Sequence, residues 1–186
     1  PIQANKLDQK YAIEPALYAM AEHSLSDNFS MNYGLRVSSF FRMGGQPIYS
    51  YKNNAPIAFN EKLGIYEEGE VVGQTNYDRG TTVKTFFGLE PRISMSFTPN
   101  TEHAFKASYN RMFQYIHLIS NTVSAAPLDV WTPSGPYIEP QILDQYALGY
   151  FKNLKDGDYS IETEVYYKDV QNRLDYRDGA DLIAQN

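Results

Sequence analysis

The chain has 186 residues, a formal net charge of −6 and no cysteine. That balance argues against nucleic acid as the main partner, because phosphate contacts rest on Lys and Arg. The missing cysteine excludes a disulfide framework and thiol-ligated metal sites, and no apolar run approaches the roughly 20 residues of a membrane helix.

The predicted elements repeat one unit three times. Each copy opens with Ile13-Glu14-Pro15, Leu89-Glu90-Pro91 or Ile138-Glu139-Pro140. A long alternating run, a tight polar turn and a second alternating run follow. The first unit predicts strands over 10–24 and 29–43 around Ser26-Asp27-Asn28. Phe29, Met31, Tyr33, Leu35 and Val37 alternate there with Ser30, Asn32, Gly34, Arg36 and Ser38. Residues 44–82 carry Gly and Pro breakers without a sustained period, so they read as a long loop with a short hairpin near Gly64 to Gly73.

The second unit predicts strands over 83–98 and 103–118 around Pro99-Asn100-Thr101. Leu89, Pro91, Ile93, Met95 and Phe97 share one parity, and Glu90, Arg92, Ser94, Ser96 and Thr98 the other. Side chains alternate across a strand, so one face is apolar and the other polar. Phe105, Ala107, Tyr109, Phe113 and Tyr115 continue the apolar parity, and Arg111 is a charge that breaks it. A loop over 119–139 follows. The third unit predicts strands over 141–154 and 158–174 around Asp156-Gly157, a strong hairpin signal.

These strands are long. A soluble strand spans about 5–6 residues, whereas a membrane-crossing strand needs about 9–11. Short turns at one end and connections of about 40 and about 20 residues at the other fit an outer-membrane barrel. The 16 Tyr against one Trp suit strands and interfacial girdles alike. Alternation alone leaves a soluble β-sandwich binding module (an adhesin or carbohydrate-binding domain) and a passive porin as alternatives. Six strands cannot close a lumen, and no signal peptide precedes Pro1. The expectation is therefore an internal fragment of a longer exported chain.

Leu89-Glu90-Pro91-Arg92 through Lys106-Ala107-Ser108-Tyr109-Asn110-Arg111 resembles barrel strands of TonB-dependent outer-membrane receptors of the Bacteroidetes type. So do Pro127 to Ser134, Glu139-Pro140-Gln141, Gln145 to Tyr150, and Glu164 to Asp169 with Asp178-Gly179-Ala180. The resemblance implies an all-β fold, an antiparallel transmembrane barrel segment of about six long strands from a barrel of about 22. Residues 1–186 would be part of one barrel domain, without its plug. It also implies a nutrient ligand imported from outside the cell, TonB acting through the plug, and outer-membrane lipid around the barrel. The setting would be the outer membrane of a Gram-negative bacterium, with no enzymatic activity and no cofactor.

Candidate chemistry is sparse. Glu14, Glu90, Glu139, Glu162 and Glu164 are expected to face the lumen, hydrating it or pairing with cations such as Arg36 and Arg92. His23 and His103 each follow a Glu near a short turn, His117 lies near the opposite end, and no HExxH occurs; no metal site is expected. Asp156, Asp158, Asp175, Asp178 and Asp181 lack the spacing of a calcium loop. The candidate ligand-binding residues are loop aromatics: Trp131, Tyr137, Tyr49, Tyr51, Tyr66 and Tyr77. Trp131, beside stiffening prolines, is the strongest of them.

Overall fold

The structure, a computed structural model, describes residues 9–119, 130–154 and 158–174. Its centre is one seven-stranded antiparallel sheet. The members are β1 (Tyr11–Ile13), β2 (Ala16–Ser26), β3 (Phe29–Met43), β8 (Thr82–Phe97), β9 (His103–Gln114), β12 (Gln141–Leu154) and β13 (Tyr159–Gln171). Beyond it lie three two-stranded pairs. They are β4 (Pro47–Tyr51) with β7 (Val71–Asn76), β5 (Ile57–Asn60) with β6 (Ile65–Glu68), and β10 (Ile116–Ile119) with β11 (Val130–Pro133).

Sequence neighbours pair in the order β3, β8, β9, β12, β13, while β1 and β2 share the far side of β3. The turns match the expected ones at Asp27-Asn28 and at 98–102, where Asn100 Oδ1 accepts the backbone N–H of Glu102 and His103. This side-chain mimicry of a backbone turn is what Asn supplies best. Asp156-Gly157 lies outside the described residues.

Four expectations need correction. The first strand is interrupted at Glu14-Pro15, because proline has no N–H to donate to a ladder. The fourth is interrupted at Tyr115, where the chain leaves the sheet and β10 pairs with β11 instead. Residues 44–82 are not an irregular loop but two nested hairpins, β5–β6 carried between the strands of β4–β7. The inner hairpin turns at Gly64 (φ +67°), earlier than the expected hairpin near Gly64 to Gly73. Arg111 is not a flaw: it forms a bidentate pair with Asp144, at 2.8 and 2.7 Å.

Registered rows cross the sheet. Phe29, Phe97, Phe105, Tyr150 and Thr163 form one near the turns. Tyr33, Ile93, Tyr109, Tyr146 and Tyr167 form another. Both belong to the apolar parity, and together they make aromatic belts of the kind that flank a barrel's apolar band. Tyr33 and Tyr150 each hydrogen-bond a histidine, His23 at 3.0 Å and His103 at 2.9 Å.

The parity that faces outward is decided by burial. Met95, Phe97 and Tyr33 remain 41%, 45% and 39% exposed, although a sandwich would bury them between two sheets. Ser38, Phe40, Arg42 and Glu90, on the polar parity, are buried, and on the apolar parity the polar Asp144 is buried in its pair with Arg111. The polar face is therefore the inside, covered at its loop end, and the apolar face meets the surroundings.

Candidate functional site

The inner wall is built in two tiers. In the tier nearer the loops, two copies of the Glu-Pro motif converge on one guanidinium. Arg36 reaches Glu90 at 2.5 Å and Glu14 at 3.2 Å, and Arg92 approaches Glu90 at 4.0 Å. Glu90 also accepts from Ser38 at 2.9 Å, and Ser38 meets the Tyr115 hydroxyl at 2.8 Å. This chain bears out the pairing of lumen carboxylates with Arg36 and Arg92.

Proline explains why Tyr115 reaches this place. Pro91 cannot donate a ladder hydrogen bond, and the registered β8–β9 pairing ends at the adjacent Arg92. Tyr115 then packs over Gly88, with its ring stacked on Phe40 at 4.9 Å. In the tier nearer the turns, Ser30, Asn32, Ser94, Ser96, Lys106, Ser108, Gly149 and Glu164 line an open polar recess.

The loop elements stand over the sheet's other end. The β10–β11 hairpin has two unlike faces. His117, Thr132 and Ser134 are buried, with His117 Nε2 2.9 Å from Ser134 Oγ and Lys10 donating to Thr132 at 3.2 Å. Ile116, Leu118 and Trp131 are exposed, Trp131 at 61% and paired across the strands with Leu118. Burial alone pushes the His117 imidazole below its ordinary pKa.

Of the candidate aromatics, Tyr49, Tyr51 and Tyr137 come together. The Tyr137 hydroxyl donates to the Tyr49 carbonyl at 2.9 Å, and its ring meets Tyr51 edge-on at 5.4 Å. Tyr51 is 5% exposed, so it packs within the loops. Its hydroxyl donates to Glu68 at 3.2 Å, and burial, then that carboxylate, push its pKa up to about 12. Tyr66 stands apart, packed on Phe59 at 5.0 Å in the β5–β6 hairpin. Tyr77 follows β7, its carbonyl accepting from Gly45 at 3.0 Å.

An open sheet with an exposed apolar face, a polar inner wall and folded loops at one end has the form of a barrel segment. A family model for the TonB dependent receptor-like β-barrel matches residues 3–186. The chain belongs to the TonB-dependent receptor β-barrel family. No curated protein and no solved structure matches it.

The family is one of outer-membrane receptors and transporters of Gram-negative bacteria and is not an enzyme family. The geometry adds two features that sequence reasoning missed. One is the buried His117–Ser134 pair, whose partners meet only once the hairpin register is known. Among the described residues it lacks the orienting group of a hydrolase triad, because none of them hydrogen-bonds His117 Nδ1. The other is the Arg111–Asp144 pair, with Tyr109 also donating to Asp144 at 2.8 Å. A signal for it existed: Asp144 shares the parity of Tyr146 and Leu148, so opposite charges stood on the apolar parity of two neighbouring strands.

Proposed function

We propose that this receptor segment is part of the barrel of a Bacteroidetes-type importer. The complete receptor captures a scarce nutrient outside the cell and draws it inward with energy relayed by TonB through a plug. The observation that carries this reading is the family match over 3–186, on a sheet whose apolar face is exposed. On this reading the lipid surrounds the Met95 face, and the plug and the remaining strands of the same protein complete the lumen.

The loops near 44–82 and 119–139 are then extracellular and take part in capture, since recognition concentrates on loops held by a rigid scaffold. Trp131 is the principal contact, being exposed on a hairpin anchored from behind by its buried face. Tyr66 with Phe59 offers a second aromatic surface, and Tyr49, Tyr77 and Tyr137 fix the loops around them.

The test is nutrient binding and uptake by the full-length receptor carrying Trp131→Ala, at matched surface expression. A hot-spot aromatic contributes about 2 kcal/mol or more, so affinity is expected to fall roughly thirtyfold. Wild-type affinity and uptake would reduce Trp131 to a packing residue.

A further inference from the structure

We propose that the β10–β11 hairpin is an acid-released latch: His117, sealed against the barrel, holds the hairpin down while neutral and lets it go when protonated. The argument starts from the unusual pattern of the hairpin. Its polar residues His117, Thr132 and Ser134 face the protein, while Ile116, Leu118 and Trp131 face out. What holds it down is therefore a polar contact set, with the imidazole at its centre.

That set tolerates a neutral ring better than a charged one. Nε2 shares one hydrogen bond with Ser134 Oγ, which serves either tautomer, and Nδ1 has no partner among the described residues. Protonation makes both nitrogens donors, and the second would be a charged N–H buried with no acceptor among the described residues. Among the described residues no carboxylate is placed to relieve it: Lys10 reaches Thr132, and the Arg42 guanidinium is turned to the Tyr11 and Met43 carbonyls. Tyr115, whose carbonyl accepts from Ser134, is neutral, and the carboxylates beyond it, Glu14 and Glu90, are engaged by Arg36. Undocking exposes the ring to water.

The sign follows from linkage. The docked ring resists protonation relative to a free histidine, so the latch holds fully above about pH 6.5. Below that it weakens by about tenfold per pH unit until the docked ring itself titrates. The readout does not depend on any nutrient, so its failure is separate from failure of the capture reading.

The experiment is hydrogen exchange on ligand-free, full-length receptor in lipid from pH 8 to pH 4, corrected for intrinsic exchange. The amides to follow are those of 116–118, 131, 132 and 134. Their protection is expected to fall with onset near pH 6.5, while β9 and β12 amides stay unchanged. His117→Gln, which can still donate to Ser134 and does not titrate, should show a flat profile. Glu14→Gln should keep the drop, and it tests the idea even where the His117 variant fails to assemble. A flat wild-type profile, an onset near pH 4, a drop that survives His117→Gln, or one that vanishes in Glu14→Gln would each overturn the latch.

Discussion

Arg111 and Asp144 lie 33 residues apart in sequence and face each other across β9 and β12. Taken singly, each is a charge on an apolar face. Taken together with the Tyr109 hydroxyl, they satisfy one another. Asp144→Ala should therefore destabilise the full barrel by about 1–3 kcal/mol, by leaving a guanidinium unmatched. Replacing both by apolar residues, Arg111→Met with Asp144→Leu, should recover most of that loss. Urea unfolding in lipid vesicles measures the difference, and a double variant no better than the single one would show that the pair matters for another reason. Gly88 is the complementary case. A Cβ there would meet the Ser38 hydroxyl at 2.5 Å and collide with that of Tyr115, whereas one at Gly73 meets nothing nearer than 3.8 Å. Gly88→Ala should cost about 1–3 kcal/mol by the same assay, and Gly73→Ala clearly less. Single residues were the least legible part of the chain: Arg111 looked like an error because its meaning depended on register, which alternation does not carry.

At the scale of the element, alternation was enough. The six long strands follow from period two alone, because each must present one apolar face along its whole length. What alternation could not show was where a ladder stops: Pro15 and Tyr115 interrupt strands whose pattern runs on. Nor could it resolve residues 44–82, where β4 to β7 are too short to establish a period. Two outcomes test these elements. Met95→Arg should cost about 2–4 kcal/mol where that site lies near the bilayer midplane, and Ser94→Arg, one residue away on the inner face, much less. Equal costs in lipid would refute the assignment of faces. The hairpins carry a different signature. Tyr51 holds its proton up to about pH 12 against about 10 when free. The stability this gives is therefore present below pH 10 and is lost as pH rises through 12. Hydrogen exchange at β4 and β7 should rise in that window, and Tyr51→Phe should abolish the dependence.

On the scale of the molecule, the sheet is open at both sides. Among the described residues no further strand lies beside β13 or beside the pair β1 with β2, and open edges are tolerated well neither in lipid nor by a lone soluble domain. The isolated segment in detergent-free buffer should not give a stable monodisperse monomer; sedimentation showing one would revive the sandwich. The registered rows hold one more consequence. On β3 the apolar parity runs from Phe29 up through Val37 and Phe41. On β13 it runs from Tyr159 to Tyr167, and Tyr167 is level with Tyr33. Ile161 and Tyr159 lie beyond the row of Phe29, on the side of the turns. The oily band thus slides along the strands as it crosses them, so the strands lean against the membrane normal. Such a slant is what lets a sheet wind back upon itself, with strand number, stagger and inclination tied together. The angle at which this wall would close is already written in which residues are greasy and which are not.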